Sequence, residues 1–292
     1  MEDGSGCASR GRAGGRGRNL RHGSGGTTAI AARIHATAII DPEAELDIDV
    51  EIGPGVVIGP AVQIGAGTVI GPYTVIQSHT TVGARNRIFQ YASIGAPPQD
   101  LKFHDEPSRV EIGDENTIRE FTTIHRGTES GDMITRIGNR VLLMNYVHIA
   151  HDCAIGDHSI IANSTELGGH CVLEEWVVAA GMCGIHQYAR IGAHAMVAAG
   201  AKVSQDVPPY SMVAGDRARL VGVNTVGLRR RGFDRETIGA IERTFRKLYY
   251  SGLLRDDAIK EALAEDGGVS EVRRVIDFIT GSKRGVVGRE RE

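Results

Sequence analysis

The chain places an aliphatic residue at every sixth position over most of its length. Counted from Ile34, the series runs through Ile40, Leu46, Ile52, Ile58, Ile64, Ile70, Ile76, Val82 and Ile88 to Ile94. It resumes at Ile112, Ile118 and Ile124, and again from Ile137 through Leu143, Ile149, Ile155, Ile161, Leu167, Leu173, Ala179, Ile185, Ile191 and Val197 to Val203. A period of six belongs neither to an amphipathic helix nor to a plain alternating strand. Four positions after the aliphatic stands a small or β-branched residue, as at Val56, Thr68, Thr74, Val147, Ser159, Thr165 and Ala201, and Gly often follows it directly, as at Gly53, Gly59 and Gly65. Each unit therefore predicts a short strand and a corner. Three units close a triangular coil, and each coil stacks on the last by parallel pairing about 4.8 Å away. No single unit can bury its own face, so the prism needs many of them.

The register assigns further residues. Cys153, Cys171 and Cys183 fall on the small position and are expected to be packed, reduced thiols. Past Val203 the repeat ends in QDVPPYSMVAGDRARL (205–220), and Pro208 and Pro209 are expected to stop the ladder. From Asp234, a plausible N-cap, the pattern turns helical, with Ile238, Ile241, Phe245 and Leu248 on one face. Further helices are expected over 256–264 and 271–279. The predicted organisation is a Gly/Arg-rich extension over 1–33, a mainly β parallel helix of coils over 34–222 and a small α-helical domain over 223–292.

Composition narrows the class. Of 292 residues, 39 are glycine and only 5% are aromatic, which favours a tightly turned repetitive β architecture over a helical bundle. A net charge of −3 does not suggest nucleic-acid binding, and no apolar run reaches the ~18 residues of a membrane span. The extension carries Arg10, Arg12, Arg16, Arg18 and Arg21 against Glu2 and Asp3, and has too little apolar surface to order itself. Its sharper readings are an organelle transit peptide or a basic binding tail.

Two insertions break the repeat, one over 95–109 (GAPPQDLKFHDEPSR) and one near 128–135. Long loops on a rigid solenoid are where function tends to sit. Nine of eleven histidines lie in the repeat at outward or corner positions. His35, His79, His158 and His194 are expected to be solvated. Because a coil advances by eighteen residues, His125, His148, His151, His170 and His186 should gather along one edge. Such a cluster suits either a general base with substrate-binding partners or a metal site; some β-helix proteins of this kind are zinc carbonic anhydrases. A non-catalytic scaffold would give no reason for the cluster.

Seven segments carry a closer resemblance: QDLKF (99–103), TIHRGT (123–128), HIAHDC (148–153), GH (169–170), IHQY (185–188), QDVPPY (205–210) and RRGF (230–233). Together they resemble the acyl-[acyl-carrier-protein]–UDP-N-acetylglucosamine O-acyltransferases, hexapeptide-repeat transferases that open lipid A synthesis. The resemblance covers about 34–279. It implies a left-handed winding, which the usual crossover rule would not, and a cytoplasmic homotrimer with sites between subunits. The implied donor is acyl carrier protein with its phosphopantetheine, the implied acceptor UDP-N-acetylglucosamine, and no metal or other cofactor is implied. His151 would be the general base, Asp152 its orienting partner and the Gly169 N–H the oxyanion donor. Asp100, Lys102, His148, His170, His186 and Gln187 would bind the sugar nucleotide or the acyl-pantetheine arm. Asn224, Arg230 and Arg231 would reach uridine and diphosphate. His125 would be supporting only.

Two departures stand out. Val226 occupies a position where the family often has Glu, and Ala199 aligns with the glycine of the acyl-chain ruler in long-chain enzymes. The added methyl predicts acyl chains shorter than fourteen carbons. Some relatives use a 3-amino sugar, and Gln99 is compatible with the usual hydroxyl acceptor. The later N-acyltransferase of the pathway shares the fold but carries an N-terminal domain that the extension cannot supply.

Overall fold

The computed structural model describes residues 32–289. The expected extension lies outside these residues, apart from Ala32 and Arg33, and Arg33 already opens the first strand. Most strands are two residues long, such as Val57–Ile58 and Leu142–Leu143, each followed by a corner. They assemble into three sheets of eleven, nine and eight strands whose neighbours are three strands apart in sequence for nearly the whole stack. This is the prism that the period of six predicts.

The pairing is parallel and in register. Ile58 pairs with Ile76 and Ile149 with Leu167, one coil of eighteen residues apart. Across the first insertion the partners are Ile88 and Ile118, and across the second Ile124 and Ile149. Both insertions therefore leave the coils intact and bulge outside them. Ile58, Ile94, Ile118, Leu143, Ile161 and Val197 are all at most 1% exposed. Ile34, in the first described coil, is 49% exposed, with no coil beneath it among the described residues.

The small position has a second duty. Thr68, Thr74 and Thr165 each donate Oγ1–H to a carbonyl fifteen residues on, at 2.9, 2.9 and 2.8 Å. Cys153, Cys171 and Cys183 donate their thiols in the same way, at 3.2, 3.2 and 3.1 Å. All three are buried, unpaired thiols, as expected. Burial pushes the Cys153 thiol well above its ordinary range, with Cys171 adding to the effect.

Corners stack as well. Residues such as Asp152, His170 and Tyr188 take a left-handed backbone, with φ of 58°, 60° and 65°. Their side chains form ladders: Tyr73, Tyr91, Phe121 and Tyr146 on one corner, Trp176 between His158 and His194 on another.

The prism does not stop at the prolines. Val207 bridges Ile191, and Ser211–Ala214 pairs in parallel with Met196–Val197 before turning into an antiparallel hairpin with Arg219–Val223. Pro208 and Pro209 sit at a corner, where no ladder donor is needed. The helices are α1 (Thr225–Arg230), α2 (Arg235–Tyr250), α3 (Arg255–Asp266) and α4 (Ser270–Thr280). Asp234 caps α2 as expected, accepting from the Thr237 N–H at 2.7 Å. Helix α1 was not anticipated. Arg274 of α4 ties this domain to the prism through Glu174 and Glu175, at 2.8 and 2.6 Å.

His194 corrects an expectation. It is 9% exposed, not solvated, because α1 and Phe233 close over it. His158 is half-buried against Trp176, while His35 and His79 are exposed as expected. Burial, then the Arg231 guanidinium, lower the His194 pKa to about 4. An unfolded chain takes up this proton near its ordinary value of about 6.5. Folding stability is therefore unaffected above that value, falls as pH drops from about 6.5, and is fully lost from this source below the folded value. His125, lowered to about 4 mainly by burial, acts in the same direction. His194→Phe should keep the aromatic stack and shrink the fall in Tm between pH 7 and pH 4.5. An undiminished fall would rule His194 out as a source.

Candidate active site

An open groove of about 630 Å³ runs along the nine-stranded sheet. Its floor is built from residues that the eighteen-residue coil brings into line. His148, Glu166, Gly184 and Lys202 share one register row. Gln99, His151, Gly169, His186 and Gln187 complete the walls.

The centre of the groove is the pair His151 and Asp152. The Asp152 side chain is only 2% exposed. Its carboxylate accepts from His151 Nδ1 at 2.9 Å, from Thr128 Oγ1 at 2.6 Å and from the Thr128 N–H at 3.1 Å. The second insertion supplies the two Thr128 donors. It also wraps the carboxylate closely: a Cβ on Gly131 would lie 2.4 Å from Asp152 Oδ1. A solvated turn residue would not be held so. Burial opposes ionisation of Asp152, but the His151 and Thr128 hydrogen bonds and the nearby His170 outweigh it and hold the carboxyl below its usual range. A carboxylate that only accepts places the His151 proton on Nδ1 and leaves Nε2 as a free base.

Gly169 explains itself by contact. A Cβ there would stand 2.5 Å from His151 Cε1 and Nε2. Only glycine lets the imidazole lie against this backbone, so the base and the Gly169 main chain are neighbours.

Three further imidazoles surround the pair. His170 packs edge-on to His151, with centroids 5.0 Å apart, and stacks on Tyr188 at 4.4 Å. His148 accepts or donates at 2.7 Å to Thr123 Oγ1 and meets His125 edge-on at 4.9 Å. Burial is the first cause that lowers the pKa of His125, His148 and His170, with the neighbouring His151 adding to it. Each of these rings is thereby biased toward its neutral form. His125 is 6% exposed, more deeply placed than its outward repeat position suggests.

The groove does not gather every residue the sequence proposed. Asp100 and Lys102 form a turn of the first insertion, where the Lys102 N–H donates to Asp100 Oδ1 at 3.0 Å, and neither lines the groove. Asn224 caps α1, accepting from the Gly227 N–H at 3.1 Å, and donates to the His194 carbonyl at 2.9 Å. Arg231 lies over Trp176 at 5.1 Å and meets His194 Nδ1 at 3.3 Å. Of this set, Arg230 is exposed. All three stand at the His194 corner, away from the groove of the same chain. Ala199 is exposed at a corner and does not line the groove either.

Sequence reasoning missed Thr128 and Thr135 as anchors of Asp152; the Asp152 N–H donates to Thr135 Oγ1 at 2.8 Å. It also missed Glu166, Lys202 and Arg217 in the groove. Glu166 and Lys202 could have been found by adding eighteen, and then three times eighteen, to His148.

His151, Asp152 and His170 offer three ligand atoms within 4.8 Å of one another, a set that could hold a divalent ion. The Asp152 oxygens, however, are already taken by His151 Nδ1–H and Thr128, which matches an orienting carboxylate better than a ligand. A hexapeptide prism with a carboxylate-oriented histidine over an open groove defines a hexapeptide-repeat acyltransferase.

Comparison with known proteins is specific. Residues 206–287 match the model of UDP-N-acetylglucosamine O-acyltransferase domain 2, and 49–84 and 134–169 match the bacterial transferase hexapeptide repeat. The acyl-[acyl-carrier-protein]–UDP-N-acetylglucosamine O-acyltransferase of Herminiimonas arsenicoxydans is 52% identical over 87% of this chain and 98% of its own. That of Janthinobacterium sp. (strain Marseille) is 53% identical over the same shares. The structure of the Moraxella catarrhalis UDP-N-acetylglucosamine O-acyltransferase superposes with a TM-score of 0.84 at 43% identity, covering 87% of this chain and 99% of that one. The chain belongs to the UDP-N-acetylglucosamine O-acyltransferase family, and its prism is a left-handed parallel β-helix.

Proposed function

We propose that the protein moves an (R)-3-hydroxyacyl group from the thioester of acyl carrier protein to the 3-hydroxyl of UDP-N-acetylglucosamine, the first step of lipid A synthesis. The observation that carries this reading is the His151–Asp152 pair lying against Gly169 in the groove. His151 Nε2 removes the sugar hydroxyl proton as the oxygen attacks the thioester carbon. The Gly169 N–H stabilises the oxyanion that forms. Collapse breaks the carbon–sulfur bond, and the imidazolium returns its proton to the departing thiolate. Asp152 stays ionised throughout and supports the imidazolium. No resident cofactor is required by this chemistry.

The remaining roles follow from placement. His148, His170, His186 and Gln187 lie in or beside the groove and bind substrate there; Asp100 and Lys102 stand outside it on the first insertion and contact substrate that extends past Gln99. Arg230, at the other corner, meets the nucleotide diphosphate of a groove on a neighbouring copy, within a homotrimer that shares its sites. Asn224 and Arg231 shape the same surface. Among the described residues no helix is long and apolar enough to cross a membrane, and the reaction we propose is cytoplasmic.

The test is an assay of purified protein with hydroxyacyl carrier proteins and UDP-sugars, read by mass spectrometry. An ester product on UDP-N-acetylglucosamine is expected; an amide formed only on the 3-amino sugar would overturn the acceptor. With ten-, twelve- and fourteen-carbon donors in competition, Ala199 predicts preference for a chain shorter than fourteen. Clear selection of the fourteen-carbon donor would reject Ala199 as a ruler.

A further inference from the structure

The segment after α4 leaves the helical domain and returns to the prism. Ser282 Oγ donates to Asp206 Oδ2 at 2.7 Å, the Asp206 N–H donates to the Gly285 carbonyl at 2.9 Å, and the Val287 N–H to the Asp206 carbonyl at 2.9 Å. Asp206 is 1% exposed, and its other carboxylate oxygen accepts from the Arg190 N–H at 2.9 Å. Val286 and Val287 are buried. The strap is thus held by main-chain and serine contacts on both sides of Arg284.

Arg284 points from this strap to the groove. Its Nε donates to the Ser204 carbonyl at 2.7 Å, and Nη2 stands 2.8 Å from His186 Nδ1. The same Nδ1 lies 3.1 Å from the Gln187 carbonyl oxygen. These two contacts demand opposite protonation of Nδ1. A guanidinium can only donate, and a carbonyl can only accept. The shorter, charge-assisted contact wins, so Nδ1 accepts and the ring proton sits on Nε2.

We propose that Arg284 is a positioning residue that fixes the tautomer of His186 and makes its Nε2–H a hydrogen-bond donor to substrate. The C-terminal strap is then part of the binding groove, not a trailing end. Without Arg284 the Gln187 carbonyl takes the Nδ1–H, and Nε2 becomes an acceptor. The polarity of one groove wall reverses while its shape is kept.

The kinetic consequence rests on the proposed reaction; the tautomer does not. In full-length protein labelled with ¹⁵N-histidine, with His186 assigned through His186→Gln, the His186 Nε2 signal should be that of a protonated nitrogen and Nδ1 that of a bare one. Arg284→Ala should exchange the two. A protonated Nδ1 in the wild type, or no exchange in the variant, overturns the proposal whether or not the enzyme turns over. In the acyl-transfer assay, Arg284→Ala should raise by about tenfold the KM of the substrate whose KM His186→Ala raises. kcat should change little, and Arg284→Lys, which keeps a donor, should recover most of the loss. The double variant should bind no worse than His186→Ala alone. Additive effects, or an unchanged KM in Arg284→Ala, would reject the assignment.

Discussion

His151→Ala should fold normally and lose about 10²–10⁴-fold in kcat, the contribution typical of a positioned general base. The expectation rests on two contacts. Asp152 takes the Nδ1–H, which in the neutral ring leaves Nε2, beside Gly169, as the base. Gly169 lies close enough that even a methyl would strike the ring. Truncation removes the base but none of the interior Ile or Leu positions, so thermal stability should stay near wild type. KM should move little, because the neighbouring His148, His170 and His186 still line or flank the groove. The measurement is a side-by-side steady-state assay with a matched thermal melt. A variant that retained near wild-type kcat would remove His151 from the chemistry and leave the acyl-transfer step without its base.

The prism was legible from the period of six alone, because a repeat that buries one aliphatic per strand leaves little choice of register. Adding eighteen also placed His170 beside Asp152 and Cys171 above Cys153. What stayed hidden was tertiary cover. His194 and His125 occupy outward positions in the repeat, and nothing in their own hexads says that other elements close over them. Helix α1 is six residues long and carries too few turns to announce itself by periodicity. The coil that continues past Pro208 and Pro209 was missed because proline at a corner offends no hydrogen bond, a distinction sequence spacing does not make. The strap with Arg284 has neither a helical nor a six-residue pattern; two isolated bridges hold it.

The candidate site divides along the same line. His151, His148, His186 and Gly169 follow from motif and register. The partners that make Asp152 more than a corner residue come from the second insertion, seventeen to twenty-four residues earlier in the chain, at a spacing no repeat dictates. Asn224 and Arg231 show the converse. Their residue types suit a phosphate site, yet within the chain they cap a helix and pack on Trp176. Of the three residues in that motif, Arg230 is the one whose side chain is free to reach a neighbour.

Asp152→Asn should separate orientation from folding. The carboxamide keeps the volume that Gly127 and Gly131 wrap, and its oxygen can still accept from Thr128. That same oxygen, in the place of Oδ2, also meets His151 Nδ1, but it carries no full negative charge, so the imidazolium loses its counter-charge. A hydrogen bond to a charged group contributes about 1.5–3 kcal/mol, which corresponds to a fall of about 10- to 150-fold in kcat. Asp152→Ala should add a structural defect, because it strands the Thr128 N–H that the buried carboxylate now accepts from and leaves the Thr128 hydroxyl only Ser130, at about 1–3 kcal/mol for a group left unpaired. Its Tm should therefore drop where that of Asp152→Asn does not, and Thr128→Val should reproduce part of the drop with a smaller loss of kcat. The sign of the comparison decides the role. If Asp152→Asn lowers Tm as much as Asp152→Ala while kcat stays near wild type, the carboxylate serves only to pin the second insertion. If kcat falls at unchanged Tm, its charge acts through His151 on the reaction itself.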